Sequence, residues 1–464
     1  MTASTSSASQ PVYLTGFMAP VADEIESTDL EVEGHLPPEL SGTYVRNGSN
    51  PMPGTDPGHD FTGQGMLHGV RLDGGRALWY RNRWVRTPAM LGAQVRQPDN
   101  SMRYENSLAN TSVASFDGKV LALVENAYPY EVTPDLDTVG VYRFRNDQLS
   151  TSITAHTKLD PTSGELHFYS YSPSPFISYH VATPDGFIRH SQTIPVPGPT
   201  MMHDFALTER HVLFLDMPVI FDKTLAAGTP YRFPYRWDDA YRSRIGVLPR
   251  SRPDAQVRWY EIEPGYAFHV ANAYEDGHGR IVLDAVNYDR QAFNSLWAGI
   301  GGVSVLKGVD ARQPLRGGSM YRWVIDPRSE RVSEQRLDDL EVEFPVIHPG
   351  RIGRAYRYAY SAAAQLAVPS QGSFYARNDM KTGERQVYRL DDGWIPGEAS
   401  FVPASGACAE EEGWLLTLVT HARDDAARLL VLDASRLESG PVATVKLPRR
   451  VPIGFHGAWI PMKD

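Results

Sequence analysis

The chain has 464 residues, of which 42% are hydrophobic and 22% charged, a balance typical of a folded globular protein and not of a disordered one. Lysine and arginine total 45 against 55 aspartate and glutamate, and the basic residues are scattered, which argues against a nucleic-acid partner. No run approaches the roughly 18 apolar residues of a membrane span, and the single cysteine, Cys408, excludes an intramolecular disulfide and favours a cytoplasmic location.

The N-terminal segment is the one low-complexity stretch. From Thr2 to Gln10 it is rich in Ser, Thr and Ala, without the positive charge and apolar core of a signal peptide. We expect residues 1–10 to be a disordered tail. Because no linker-like stretch follows, we expect residues 11–464 to form a single domain.

Turn signals recur along the rest of the chain, and short runs rich in β-branched and aromatic residues lie between them. The turn signals include Asp73-Gly74-Gly75, Asp117-Gly118, Pro184-Asp185-Gly186, Asp276-Gly277 and Asp392-Gly393. The predicted strands include Arg76 to Trp84, Lys119 to Val124, His211 to Leu215, Arg280 to Val286 and Trp414 to Val419. Helical periodicity is scarce, and 39 Gly with 35 Pro would interrupt most helices, so the pattern predicts an all-β fold.

The predicted architecture is a closed ring of sheets. So many short strands would leave unprotected edges in an open sheet, and the chain is too long for one sandwich. A β-propeller meets both conditions, and at roughly 60 residues per blade the length suits seven blades. No WD or kelch repeat is visible, so the repeat pattern alone does not fix the blade number.

Four histidines stand in separate strand-like segments: His156 in T-A-H-T-K, His203 in M-M-H-D-F, His269 in A-F-H-V-A and His456 in G-F-H-G-A. Their spacing lacks the short ligand pairs of zinc sites and is not diagnostic by itself. In a propeller, however, residues from different blades can meet on the central axis, and four neutral imidazoles would hold Fe(II) well.

With these motifs the chain resembles the carotenoid cleavage oxygenases over nearly its whole length. The resemblance runs from G-H-L-P-P-E-L-S-G-T-Y-V-R-N-G-S-N-P at residues 34–51 to F-H-G at residues 455–457. It implies a seven-bladed propeller with a cap of loops and short helices over an apolar tunnel, and an Fe(2+) cofactor bound by the four histidines. It also implies O2-dependent cleavage of a carbon-carbon double bond in a carotenoid or apocarotenoid, giving two carbonyl products.

The same resemblance assigns three glutamates to positions behind the histidines, in L-A-L-V-E-N-A, V-E-F-P-V-I and G-E-A-S-F-V-P. A carboxylate there would accept the hydrogen of the ring nitrogen that does not face the metal, fixing the tautomer and the orientation of the ring. The implied pairs are Glu125 with His203, Glu343 with His269 and Glu398 with His456.

Two further positions bear on the reaction. Thr111, in A-N-T-S-V, matches a residue beside a vacant coordination position in the family, which its methyl group would narrow; the alternative is an ordinary strand threonine. Family members that cleave stilbenes or phenylpropenes usually have Lys immediately before the first glutamate, where this chain has Val124. Val124 as a substrate-pocket residue therefore favours an apolar polyene over a 4-hydroxystilbene.

The segment from Gly58 to Met66 corresponds to a family stretch that commonly reads H-W-F-D-G-D-G-M. Asp60, Thr62 and Gln64 depart from it. We interpret this glycine-rich segment as a conformational requirement of the first blade and not as catalytic.

Two apolar segments, Val219 to Tyr235 and Leu296 to Leu306, could form a tunnel mouth or a peripheral membrane contact; the alternative is packing under the cap. The expected partners are O2 and the polyene, and oligomeric state is not readable from the sequence. Three other functions stay open: a stilbene- or phenylpropene-cleaving dioxygenase, a retinoid-type isomerase that uses the same iron without O2, and a non-catalytic propeller that serves as a binding module.

Overall fold

The computed structural model describes residues 10–98, 101–149, 151–171, 176–228, 233–252, 254–306, 316–363 and 372–462. The tail predicted at residues 1–10 lies outside these ranges except for Gln10. The strands are β1 (Glu26–Ser27), β2 (Val32–Gly34), β3 (Gly42–Ser49), β4 (Gly65–Asp73), β5 (Arg76–Trp84), β6 (Ser112–Phe116), β7 (Lys119–Leu123), β8 (Tyr130–Val132), β9 (Thr138–Val141), β10 (Lys158–Leu159), β11 (Leu166–Tyr171), β12 (Ile177–Ala182), β13 (Ile188–Ile194), β14 (Phe205–Leu207), β15 (His211–Asp216), β16 (Val219–Phe221), β17 (Tyr235–Trp237), β18 (Arg244–Pro249), β19 (Arg258–Glu261), β20 (Tyr266–Glu275), β21 (Ile281–Tyr288), β22 (Ser319–Asp326), β23 (Arg331–Arg336), β24 (Glu343–Val346), β25 (Tyr358–Ala363), β26 (Phe374–Asp379), β27 (Arg385–Arg389), β28 (Trp394–Pro403), β29 (Gly413–His421), β30 (Ala427–Asp433), β31 (Pro441–Lys446) and β32 (Gly457–Pro461). The helices are α1 (Lys223–Gly228) and α2 (Arg290–Gly299), with single 3-10 turns at Val12–Leu14, Gly16–Met18, Asp60–Thr62, Pro349–Arg351 and Leu437–Ser439.

The strands form seven antiparallel sheets that are the blades of a propeller, and β16 and β17 form a separate hairpin. In hydrogen-bonded order, blade 1 is β1-β5-β4-β3-β32, blade 2 is β6-β7-β8-β9, blade 3 is β10-β11-β12-β13, blade 4 is β14-β15-β18-β19, blade 5 is β20-β21-β22-β23, blade 6 is β24-β25-β26-β27 and blade 7 is β2-β31-β30-β29-β28. The predicted all-β fold and seven blades are thus confirmed, and the strand predicted from Arg76 to Trp84 has those bounds.

Both ends of the chain take part in closing the ring. Strand β32 pairs with β3 in blade 1, where Tyr44 lies opposite Trp459. Strand β2 pairs with β31 in blade 7, where Val32 lies opposite Val445. Two blades therefore combine N-terminal and C-terminal strands, and this pairing joins the first and last parts of the ring.

The innermost strands of the seven blades surround the central axis. They are β32, β6, β10, β14, β20, β24 and β28. Contacts join β14 to β20, β20 to β24, β24 to β28, β28 to β32 and β32 to β6. In blades 2 to 7 the innermost strand (β6, β10, β14, β20, β24 or β28) is the first strand of an antiparallel meander. These strands therefore run in the same direction and begin on the same face of the ring. Residues at their N-terminal ends are brought together on that face.

Aliphatic residues of successive sheets fill the spaces between blades. In the cluster between blades 1 and 7, Leu416, Leu429, Val445, Tyr44 and Val70 are fully buried. Burial of each side chain of this size contributes roughly 1.5 to 3 kcal/mol. The rigid walls of the central axis are thus built mainly from apolar packing between neighbouring sheets.

Helix α2 belongs to the cap above the ring. The side chain of Asp289 accepts a hydrogen bond from the backbone of Ala292 at 2.7 Å and caps the first turn. On the apolar face of the helix, Phe293 and Trp297 are buried and lie nearly parallel to the ring of Phe268. In the described ranges, neither α-helix is long and apolar enough to cross a bilayer.

Candidate metal centre

Each blade contributes a residue to the axis, either from its innermost strand or from one of the two positions immediately before that strand. From blade 1 to blade 7 these residues are His456, Thr111, His156, His203, His269, Glu343 and Glu398. All seven are among the site residues that the sequence predicts. The propeller topology explains why residues so distant in sequence meet on one face.

The four histidines form one cluster, in which a set of ring nitrogens, one from each residue, lies within 4.8 Å of one another. Nε2 of His156 is 3.0 Å from Nε2 of His203, and the rings of His156 and His456 have centroids 4.4 Å apart. With metal-nitrogen bonds near 2.1 Å, ligand nitrogens around a single ion are separated by roughly 3 to 4 Å. The spacing of the imidazoles therefore suits one shared ion.

Three glutamates contact the opposite nitrogens of three of these rings, in the predicted pairs. Nδ1 of His269 lies 2.6 Å from Oε2 of Glu343, and Nδ1 of His456 lies 3.1 Å from Oε1 of Glu398. Nδ1 of His203 pairs with Oε1 of Glu125. A proton held on Nδ1 leaves the lone pair of Nε2 for the metal, so the three carboxylates fix the ligand form of these rings.

The inner strands are irregular where they carry these groups. The register of strand pairing shifts around His269 in β20 and around Glu398 in β28. In β24 it shifts immediately after Glu343. Phe344 has a φ of 54°, an unusual value for a non-glycine residue, and its ring lies beside that of His269. Such bulges turn a side chain away from the regular alternation, which aims these three side chains at the axis.

The chemistry of the donor set fits a divalent metal. Nε2 of His269 is buried, and within the described part of the chain it has no hydrogen-bond partner, although its Nδ1 is bound to Glu343. A buried nitrogen without a partner is costly in a folded protein, and coordination would satisfy it. Four imidazoles without a carboxylate ligand suit a borderline ion such as Fe(II).

Burial and mutual proximity keep two of the imidazoles neutral. The pKa of His156 lies well below its usual value, first because of burial and then because of the neighbouring histidines. The pKa of His269 is lowered in the same way. Burial also opposes a charge on His203, but the Glu125 carboxylate outweighs it and the pKa of that histidine is raised. Neutral imidazole is the form that binds metal.

Asp204 links two of the strands that carry histidines. It is buried directly after His203, and Oδ1 accepts a hydrogen bond from the backbone of Phe205 at 2.7 Å. Its other oxygen, Oδ2, accepts from the backbone of Val270 at 2.9 Å, immediately after His269. One carboxylate therefore fixes the beginnings of β14 and β20 relative to each other.

A cavity of about 430 Å³ opens onto the centre from the cap side. His203, His269 and His456 lie in its wall, together with Thr111 and Val124. Apolar residues make up much of the remaining wall: Phe61, Ala89, Val95, Met102, Leu108, Phe233, Phe268, Leu296, Ile300, Phe344 and Phe455. The two apolar segments predicted at the tunnel mouth thus supply Phe233, Leu296 and Ile300 to this wall, while residues 229–232 of the first lie outside the described ranges.

Thr111 stands beside His456 at the floor of this cavity. Its backbone oxygen accepts a hydrogen bond from the backbone of His456 at 3.2 Å, and its hydroxyl donates to Oδ1 of Asn110 at 2.9 Å. Because the hydroxyl is engaged with Asn110, the side chain is held in place. Its predicted role, narrowing a coordination position with its methyl group, stays a prediction.

Several residues at the site were not singled out from the sequence. Asp204 and Tyr288, whose hydroxyl donates to Glu343 Oε1 at 3.0 Å, support the histidines and the glutamates. Phe268 and Phe344, whose rings line the cavity beside the histidines, were also not identified from the sequence. Asp204 and Phe268 directly adjoin histidine ligands in sequence, so the histidine motifs themselves contained the signal that could have identified them.

Comparisons with known proteins agree with this architecture. The family model described as retinal pigment epithelial membrane protein matches residues 18–461. The carotenoid cleavage oxygenase of Mycobacterium tuberculosis is 38% identical, over 99% of this chain and 100% of that protein. The isoeugenol monooxygenase of Pseudomonas nitroreducens is 31% identical, over 97% of this chain and 98% of that protein.

Among solved structures, the lignostilbene dioxygenase of Pseudomonas brassicacearum superposes with a TM-score of 0.83 at 28% identity, covering 98% of this chain and 99% of that one. Family model, relatives and fold all extend over the same propeller and its four-histidine centre. The chain therefore belongs to the carotenoid cleavage oxygenase family.

Proposed function

We propose that this protein is an Fe(II)-dependent dioxygenase that cleaves a carbon-carbon double bond of a carotenoid or apocarotenoid and gives two carbonyl products. The observation that carries the proposal is the convergence of four imidazoles at the end of a largely apolar cavity. When bound there, ferrous iron would supply the capacity to activate O2 toward an electron-rich alkene.

The protein's own residues hold and orient the imidazoles, position the substrate and exclude water. Glu125, Glu343 and Glu398 keep the proton of their partner imidazoles on Nδ1, so that Nε2 of each ring points toward the shared metal position. The rings of Phe268 and Phe344 pack against those of His203 and His269 and line the same cavity, so they would help to exclude bulk water from the centre. A long conjugated chain would be positioned by such walls through shape and apolar contact.

The composition of the wall favours a polyene. Val124 occupies the position where relatives that cleave stilbenes or phenylpropenes usually have Lys, and no lysine lies among the described residues of the wall. The Mycobacterium tuberculosis relative is named a carotenoid cleavage oxygenase. The second candidate, a stilbene or phenylpropene substrate, is supported by the names of the Pseudomonas relatives and by Arg96 and Arg316 in the described wall, cationic groups able to bind a phenolic oxygen.

Product analysis tests the proposal. Iron-loaded protein is incubated with lycopene, an apocarotenal and resveratrol in parallel under labelled O2, and products are identified by mass spectrometry. We expect labelled aldehydes or ketones from a polyene. Labelled aldehydes from resveratrol alone would favour the second candidate, a geometric isomer without cleavage would indicate the isomerase, and no product from a panel of polyenes and stilbenes would contradict the proposal.

Peripheral membrane docking is part of this proposal, because long polyenes dissolve in bilayers. Leu91 is 79% exposed and lies between Ala89 and Gly92, both of which line the cavity. An apolar side chain beside the cavity mouth could insert at the interface of a membrane. Sedimentation with liposomes should recover the wild type and less of Leu91→Glu; equal recovery of both would contradict docking through this loop.

A further inference from the structure

The turn at Asp60–Thr62 places a carboxyl group in the wall of the cavity. The backbone N–H of Asp60 donates to the carbonyl of Ile300 at 2.9 Å. In the described part of the chain its carboxyl group takes part in no hydrogen bond or ion pair. Burial is the cause that raises its pKa to about 7. A polar group kept in an apolar wall without a protein partner is unfavourable unless a ligand supplies one.

The turn itself is firmly held, so the position of Asp60 is defined. Nδ1 of the buried His59 accepts from the backbone of Phe61 at 3.0 Å, and the hydroxyl of Thr62 donates to the carbonyl of His59 at 2.8 Å. The Phe61 carbonyl accepts from the side chain of Asn110 at 2.9 Å. Since Asn110 adjoins Thr111, the turn is fixed to the same wall that approaches the metal centre.

Gln64, four positions after Asp60, lines the same cavity. Its side-chain carbonyl accepts a hydrogen bond from the backbone of Met52 at 3.3 Å. That contact occupies the carbonyl oxygen of the amide and leaves the NH2 group of this cavity-lining side chain as a donor. One short segment therefore offers both an acceptor, at Asp60, and a donor, at Gln64.

We propose that Asp60 and Gln64 form a subsite for a hydroxyl group at one end of the substrate. A hydroxyl donates one hydrogen bond and accepts others, which matches a carboxyl group and an amide NH2 in the wall of one cavity. This inference rests on the proposed function, because it takes the substrate to be a polyene. It adds that this chain prefers a polyene that carries a hydroxyl group. Both residues depart from the corresponding family stretch, so the preference belongs to this chain and not to the fold.

Binding measurements test the subsite separately from cleavage. The iron-loaded protein, kept free of O2, is titrated with two apocarotenals that differ only in a ring hydroxyl, and Kd is taken from the shift in polyene absorbance. For the wild type we expect the hydroxylated compound to bind about 10-fold more tightly, the size of one satisfied polar contact. Asp60→Leu should abolish the preference, Asp60→Asn should reduce it, and Gln94→Leu, a change of another polar residue in the wall, should leave it in place.

Equal Kd values for the two apocarotenals in the wild type would overturn the subsite, and so would an undiminished preference in Asp60→Leu. If Asp60→Leu does not fold, the wild-type comparison and Asp60→Asn decide the question. The two proposals can fail independently. Preferential binding without any cleavage in air would contradict only the dioxygenase, whereas cleavage of both compounds with equal Kd would contradict only the subsite.

Discussion

Lys158 Nζ lies 2.7 Å from Asp204 Oδ1, and both side chains are largely buried. Lys158 follows His156 by two residues at the start of β10, while Asp204 binds the backbone at the starts of β14 and β20. The pair therefore joins the strand ends that carry His156, His203 and His269. We infer that this ion pair positions three of the four imidazoles relative to one another.

The first prediction concerns this pair. Asp204→Asn leaves Lys158 without its counter-charge, and loss of one partner from a buried pair typically costs about 3 kcal/mol. Because three ligands lose their common support, we expect weaker iron binding as well as a lower melting temperature. Asp216→Asn is the matched control: Asp216 is fully buried against Arg244 in blade 4, so that change should lower stability and leave iron affinity unchanged. Equal iron affinity in both variants would contradict the positioning role.

Glu343→Gln should weaken the metal centre without unfolding the protein. The substitution removes the negative charge that holds the Nδ1 proton of His269 and replaces one of the two oxygens that bind His269 and Tyr288 by an NH2 group. Loss of such a carboxylate contact typically reduces metal affinity or activity by about 10 to 100-fold. Competition with a chelator measures the affinity. Glu341→Gln, two residues earlier, breaks a half-buried ion pair with Arg316 and should bind iron like the wild type. An unchanged iron affinity in Glu343→Gln would show that the contact is dispensable.

Val124→Lys should change the choice of substrate. The new ammonium group would have to be desolvated against a long apolar chain, but it could meet a phenolic oxygen. We expect kcat/KM for an apocarotenal to fall by about 10-fold or more, and any activity on resveratrol to rise. Val124→Leu controls for a change of volume alone. If Val124→Lys and the wild type process the apocarotenal equally well, Val124 does not line the path of the substrate.

The carboxyl group of Asp60 in the cavity wall predicts a dependence of stability on pH. Its pKa is raised to about 7, so the folded protein retains a proton that the unfolded chain loses near pH 4. Asp60 therefore destabilises the fold increasingly as pH rises from about 4 to about 7. Asp60→Asn should become more stable relative to the wild type by about 1 to 2 kcal/mol between pH 5 and pH 8, because the cavity solvates the charge in part. Urea unfolding at both pH values measures this, and a constant difference would contradict it.

Much of the fold could be predicted from the sequence because its signals are local. Alternating strands and glycine turns gave the all-β class, and Arg76–Trp84 and Lys119–Leu123 are strands close to the predicted bounds. Turn details depend on more than a dipeptide: the Asp276-Gly277 signal marks a real turn, but the residue with positive φ is Gly279. The backbone hydrogen bonds between Asp276 and Gly279 and between Asp276 and Arg280 close the turn and decide which glycine adopts that conformation.

The candidate site was predictable for a different reason. Each histidine lies in its own distinctive motif, so the residues could be identified although their distances could not. The register shifts that aim His269 and Glu398 at the axis, and the link from Asp204 to Val270, depend on how neighbouring blades pack. The glycine-rich pattern of residues 58–66 predicts a structural segment, and that stays a prediction. The place of Asp60 in the cavity wall could not be predicted, because it depends on how this turn packs against distant residues such as Ile300.

X-ray absorption at the iron edge of the anaerobically loaded protein would show whether the four histidines bind a single iron. We expect one iron per chain, with four imidazole nitrogens at about 2.1 Å. His269→Ala, which removes one of the ligands, should lose one imidazole from the spectrum and bind iron more weakly. Substoichiometric iron in the wild type, or a first shell dominated by carboxylate oxygen or sulfur, would contradict a centre formed by His156, His203, His269 and His456.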